Sequence, residues 1–218
     1  MGEGITHIIS PLSAPWCGWV MFGLMVCCIL SEFFQPGIIS QATASLRART
    51  NRMYKDAPVH FFGQICINLF RFGTIAMLLC LCFYTQGQFS FLSYLAINAL
   101  LVAVMVVKMI GNVVLDYTFS LSRRFGGAYE HYANIATLIC LLIWPAVLIL
   151  MHFGTPVACC WTLGVAAFLF IALWVYRSAA QYITSPVALL YMLLYWCTLE
   201  LLPMAALIYL SEITITTI

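Results

Sequence analysis

Charge is scarce in this chain of 218 residues, of which only 7% are Asp, Glu, Lys or Arg. Soluble domains usually carry about a quarter charged residues, because their surfaces face water. A chain that is 64% hydrophobic, with a mean hydropathy of +1.03, cannot cover a water-facing surface. The composition excludes an ordinary soluble protein and predicts one helical membrane domain over residues 1–218.

Recognisable catalytic motifs are also missing. The chain has no H-E-x-x-H zinc motif, no G-x-S-x-G nucleophile motif and no glycine-rich phosphate loop. Its four histidines are scattered, and no cysteine pair has zinc-ligand spacing beside suitable histidines. We therefore expect no enzyme activity, no cofactor, no metal and no nucleic-acid partner.

What the chain does contain is six apolar runs long enough to cross about 30 Å of hydrocarbon. They cover residues 16–34, 61–84, 89–114, 133–153, 157–176 and 187–210. The third run is expected to continue as a helix to Arg124, where Gly126 and Gly127 break the pattern. The sequence predicts an all-α polytopic membrane protein with six transmembrane helices.

All nine lysines and arginines fall towards one side of these spans. Arg71 and Lys108 lie within spans, in the halves nearest the same loops that hold the other seven: Arg47, Arg49, Arg52, Lys55, Arg123, Arg124 and Arg177. The positive-inside rule makes that side cytoplasmic. Both termini are therefore predicted on the outer side, the periplasmic side of a bacterial inner membrane.

The basic loop 36–60 has an amphipathic pattern. Ile39, Ala42, Leu46 and Met53 recur at helical spacing, which predicts a short helix on the inner surface. One interpretation is that the loop's charges only set the orientation of the chain. The other is a cytoplasmic contact surface for anionic lipid or a partner, formed by Arg47, Arg49, Arg52, Lys55, Arg123 and Arg124.

Polar residues recur on single faces of the second and third spans. The second carries His60, Gln64, Asn68 and Arg71, and the third carries Lys108, Asn112 and Asp116, at steps of three or four residues. Because the two spans are antiparallel neighbours, we expect a polar seam between them, with Asn68 near the level of Lys108. The predicted intramembrane network consists of Arg71, Glu200, Asn68, Gln64, Lys108, Asn112 and Asp116.

Glu200 is the acid placed deepest in an apolar run. Counted from the inner ends of their spans, Arg71 lies about 15 Å deep and Glu200 about 20 Å deep. This difference is within reach of an arginine side chain, so we predict an Arg71–Glu200 ion pair. Pro203 cannot donate to the carbonyl of Leu199, and that carbonyl beside Glu200 would suit a proton or cation. A packing role and a transport role therefore both stay open.

The cysteines offer one further pairing. Cys80 and Cys82 end the second span, and Cys159 and Cys160 begin the fifth, so both pairs are expected near the outer surface. Their positions would allow a disulfide, although spacing in the sequence does not establish its geometry.

Four stretches resemble an uncharacterised family. They are "VKMIGNVV", "YEHYANIATLI", "LLIWPAVLIL" and the C-terminal "YWCTLELLP". In order and spacing they are similar to a group of multi-pass inner-membrane proteins of Bacteroidota, domain of unknown function 4271. The matched positions are Lys108, Gly111, Glu130, Pro145, Tyr195, Glu200 and Pro203, whereas Asn112 and Ala136 depart from the family pattern. The resemblance implies a location in the bacterial inner membrane and no chemistry.

Two functions follow from these observations. The first is a non-catalytic integral inner-membrane protein that acts as a subunit or assembly partner of a larger envelope complex, in contact with lipid and another membrane-protein subunit. The alternative is a small transporter or proton-coupled carrier that uses Glu200 and Arg71.

Overall fold

The computed structural model describes residues 15–44, 61–83, 90–119, 128–153, 155–182, 205–207, 209–210 and 213. The helices are α1 (Pro15–Phe34), α2 (Ile38–Ala44), α3 (Phe61–Cys82), α4 (Phe91–Phe119), α5 (Ala128–Phe153) and α6 (Pro156–Tyr182). Every regular element in these ranges is an α-helix. The predicted all-α class is therefore confirmed for the described part of the chain.

Five of these helices are long and apolar enough to cross a membrane. Their apolar segments are Trp16–Phe34, Phe61–Cys82, Phe91–Gly111, Tyr132–His152 and Val157–Tyr176. The first and last residues of each segment lie within three residues of the limits of the corresponding predicted span. Most of the predicted sixth span, residues 187–210, lies outside the described residues.

Local sequence signals explain where these helices begin. Pro15 and Pro156 occupy first helical positions, where the missing proline N–H removes no hydrogen bond. Thr155 precedes α6, and its hydroxyl oxygen accepts a 3.3 Å hydrogen bond from the Ala158 N–H. Ser90 precedes α4 and accepts one of 3.1 Å from the Ser93 N–H. Both hydroxyls cap N–H groups that have no partner within the helix.

Helix α3 is the centre of the bundle. It packs against α1, α4, α5 and α6, and 67% of its apolar segment is buried, compared with 22% for the segments in α4 and α6. Small residues allow the close packing. A Cβ atom added to Gly73 would clash with the Leu24 side chain of α1 and meet the Tyr94 hydroxyl of α4 at 3.0 Å.

The turn between α1 and α2 is held by Glu32. Its two carboxylate oxygens accept hydrogen bonds from the N–H groups of Gly37, at 2.7 Å, and Ile39, at 3.1 Å. Gly37 has a φ of 95°, a left-handed conformation that favours glycine. Helix α2 forms where Ile39 and Ala42 predict a short helix, and it packs against α5. The other two positions of that pattern, Leu46 and Met53, lie outside the described residues.

Helix α5 begins earlier than predicted. It starts at Ala128, five residues before the predicted fourth span, so Glu130 and His131 belong to its first turn. An acidic residue in the first turn is favoured by the helix dipole, which supports this longer helix. The helix continues through Pro145, as the predicted fourth span does.

Candidate functional site: a polar network between three helices

Arg71 is a buried cation in the middle of α3. Only 9% of its surface is exposed. Its Nε–H donates a 2.8 Å hydrogen bond to the Thr137 hydroxyl of α5, and its Nη1 donates one of 3.0 Å to the Asn68 side-chain oxygen. Asn68 lies one turn earlier on the same helix, so both acceptors meet the guanidinium from fixed helical positions.

Thr137 and Cys140 hold α5 against this part of α3. The Thr137 hydroxyl donates a 2.9 Å hydrogen bond to the Ala133 carbonyl. Its oxygen is then free to accept the hydrogen bond from the Arg71 Nε–H. One turn further along α5, the Cys140 thiol donates a weak hydrogen bond of 3.8 Å to the Arg71 backbone carbonyl. The Arg71 residue therefore contacts α5 through both its side chain and its backbone.

Lys108 is the second buried cation, with 8% of its surface exposed on α4. Its Nζ lies 3.7 Å from the centroid of the Tyr132 ring on α5. The same ring packs edge-to-face against Phe170 of α6, with centroids 4.9 Å apart. A cation over an aromatic face gains about 0.5–2 kcal/mol, the upper figure applying when water is excluded.

These contacts change the predicted arrangement of the seam. Helices α3 and α4 do pack together, but the polar partners described for Arg71 and Lys108 include Thr137 and Tyr132 of α5. Asn68 bonds to Arg71 on its own helix. We use the name polar network for two sets of contacts: Arg71 with Thr137 and Asn68, and Lys108 with Tyr132. Together they join α5 to α3 and to α4.

Sequence reasoning missed Tyr132 and Thr137. Both occur in "YEHYANIATLI", a stretch that resembles the family but lies outside the two predicted polar faces. Their position beside charges became clear only when the packing of α5 was known. A hydroxyl group at position 137, inside an apolar run, was the available signal.

Gln64 takes part in a different contact. Its Nε2 donates a 3.1 Å hydrogen bond to the side-chain oxygen of Gln35, a buried residue that follows α1. This bond joins the beginning of α3 to the turn that Glu32 organises. Gln64 therefore links α3 to the α1–α2 turn.

Several predicted site residues lie outside the described part of the chain. They are Glu200, His60, Arg47, Arg49, Arg52, Lys55, Arg123 and Arg124. Asn112 and Asp116 belong to α4, but their side chains are also outside it. The Arg71–Glu200 pair and the cytoplasmic contact surface therefore stay predictions.

The chemistry of the polar network is that of helix association. It supplies hydrogen-bond donors, hydroxyl and amide acceptors and one aromatic face, each contributed by a residue within a helix. Among the described residues, no three His, Cys, Asp or Glu side chains are grouped to hold a metal ion.

Comparison with known proteins gives a family and no activity. Neither the curated proteins nor the solved structures include a match to the chain. A family model described as "Domain of unknown function (DUF4271)" matches residues 18–210. The match covers nearly the whole chain and includes all five apolar helices except the first residues of α1. This helical membrane protein belongs to the DUF4271 family.

Proposed function

We propose that this chain is a non-catalytic, six-span protein of the inner membrane of a member of Bacteroidota, and that it serves as a subunit or assembly partner of a larger envelope complex. One observation carries the proposal. The buried cations Arg71 and Lys108 both contact side chains of a neighbouring helix, so polar groups at membrane depth join helices to one another.

Energetics favour a packing role for these groups. A cation at the centre of a membrane helix costs roughly 2.5–3.5 kcal/mol on insertion scales, and such residues usually face other helices and pair there. Hydrogen bonds to Thr137 and Asn68 offset this cost for Arg71, and the Tyr132 ring offsets it for Lys108. We expect Glu200 of the sixth span to complete the set by pairing with Arg71.

The charge distribution supports the proposed orientation. All nine lysines and arginines fall towards the side of the loop 36–60, which the positive-inside rule assigns to the cytoplasm. Six crossings then place both termini in the periplasm. Little of the chain lies outside the spans, which suits a protein that acts through contacts made within the membrane.

The outward faces of the bundle suit lipid and a second membrane subunit. Large apolar side chains are exposed on α1, α4 and α6, among them Trp19, Val107 and Phe168. In a bilayer these faces lie against acyl chains or against another apolar helix.

Paired substitutions test the packing role. Glu200→Gln alone should lower the amount of protein in the membrane, because it leaves Arg71 without its proposed counter-charge. Combining Glu200→Gln with Arg71→Leu should restore part of that amount. Arg49→Leu, a change of the same type in the loop 36–60, is the matched control and should leave the amount near wild type.

The transport alternative predicts a different result. Glu200→Gln would then accumulate normally and unfold at the wild-type temperature, while an ion flux measured in vesicles would be lost. If both single variants accumulate like the wild type, the Arg71–Glu200 pair is wrong.

A further inference from the structure

Two cysteines lie close together at the C-terminal end of α3. Cys82 is the last residue of α3, and Cys160 lies in the second turn of α6. The Cys160 Sγ lies 3.7 Å from the Cys82 carbonyl oxygen, to which its thiol donates.

The two cysteines differ in how much of their surface the rest of the protein covers. Cys82 is buried, whereas Cys160 is exposed. Cys160 is only four residues from Pro156, the first residue of α6, so it lies close to the end of the helix. Thiol–disulfide exchange begins at an accessible thiol and passes through a mixed disulfide, which a second thiol nearby can then resolve.

We propose that Cys82 and Cys160 are a redox pair that forms a disulfide between α3 and α6. The oxidant is a disulfide-containing compound, RS–SR. The Cys160 thiolate attacks one of its sulfurs and forms a mixed disulfide, releasing RS⁻. The Cys82 thiolate then attacks the Cys160 sulfur and releases the second RS⁻. The two protein thiols lose two protons and two electrons, and RS–SR becomes two RSH.

The location of the pair indicates the compartment in which the disulfide would form. Under the proposed orientation, the end of α3 and the beginning of α6 face the periplasm, where disulfides form and persist. This part of the inference rests on the proposed function. The pairing itself rests on the contact between the two residues and is independent of orientation.

Oxidation of the purified full-length protein tests the pairing. The protein is incubated in detergent with oxidised glutathione, alkylated and digested, and cross-linked peptides are identified by mass analysis. We expect a peptide pair that joins Cys82 to Cys160, and two fewer thiols labelled by a maleimide after denaturation. Cys82→Ser and Cys160→Ser should each abolish the pair. Cys66→Ser, a change in another α3 cysteine, should leave it intact.

Absence of the Cys82–Cys160 peptide, or a disulfide from Cys160 to any other cysteine in the wild-type chain, would overturn the proposal. Either result would leave the proposed function unaffected. A second arm traps thiols by acid and alkylation in living cells before lysis. If the two cysteines form a disulfide in detergent but are fully reduced in cells, the result supports the pairing and contradicts the proposed periplasmic location.

Discussion

At the scale of single residues, Arg71 is the buried charge with the most fully described set of partners. A guanidinium offers five N–H donors in a fixed plane, and inside the bundle each acceptor must come from the protein. Thr137 and Asn68 supply two of these acceptors, at 2.8 Å and 3.0 Å. Because Thr137 belongs to another helix, the hydrogen bond that stabilises the buried Arg71 charge also joins α3 to α5.

Replacement of Thr137 by valine tests this contact. Thr137→Val keeps the side-chain shape but removes the acceptor for the Arg71 Nε–H. We expect the free energy of unfolding to fall by about 1–3 kcal/mol, as for a charged donor that loses a partner, measured by thermal unfolding in detergent.

Thr74→Val is the matched control for that experiment. Thr74 is equally buried and its hydroxyl also donates to a carbonyl four residues earlier, that of Phe70 at 2.7 Å. Its described hydrogen bond stays within α3, so we expect a much smaller loss of stability. Equal effects of the two substitutions would mean that Thr137 adds nothing through Arg71.

At the scale of helices, the bundle depends on how closely α1 and α4 approach α3. Gly73 lies where both neighbours meet the central helix, since an added Cβ would clash with Leu24 and contact the Tyr94 hydroxyl. Small residues at such positions let membrane helices pack through close backbone contact.

Gly73→Ala should therefore destabilise the bundle, by about 1–3 kcal/mol as for other overpacked sites. Leu24→Ala in the same chain removes the clashing methyl groups, so the double variant should lose less stability than the two single losses added together. Gly18→Ala is the control, because nothing lies within 4 Å of its added Cβ. An additive result for Gly73 and Leu24 would contradict the close packing described for α1 and α3.

The capping of α2 by Glu32 gives another prediction at this scale. Glu32→Ala removes the acceptors for the Gly37 and Ile39 N–H groups, which should cost about 0.5–2 kcal/mol of local stability. We expect faster hydrogen exchange at these two amides. Ser40→Ala is the control, since the Ser40 hydroxyl donates to the Gly37 carbonyl and caps no N–H. Unchanged exchange in Glu32→Ala would show that the cap contributes little.

The limits of the apolar helices could be predicted from the sequence because hydrocarbon thickness fixes the length of a span. The spacing of polar residues at steps of three and four also indicated correctly that Asn68 and Arg71 share a face. The partners on α5 could not be predicted, because periodicity gives the faces of one helix and not the neighbour that each face meets. The hydrogen bonds of Glu32 to the α1–α2 turn could not be predicted for a related reason, since they depend on the fold of the turn at Gly37.

At the scale of the whole molecule, the proposed orientation can be measured by fusion reporters. A phosphatase that is active only in the periplasm should be active when fused after Ile218, and a fluorescent protein that folds only in the cytoplasm should be dark there. Insertions of the same reporters in the loop 36–60 should give the opposite pattern, because the proposed six-span topology puts all the basic residues towards that side. Fluorescence from the C-terminal fusion would contradict the proposed orientation.

We propose that this chain works as a subunit, with its buried polar groups used for packing. The most direct test is native mass analysis of the particle obtained by mild extraction from the parent membrane, with the chain tagged at its natural expression level. We expect a second membrane protein in fixed stoichiometry, reproducible between preparations and retained when Thr137→Val weakens the bundle only moderately. A particle that contains only copies of this chain would contradict the proposed role as a subunit and would favour transport, with Glu200 as the first site to test for a proton.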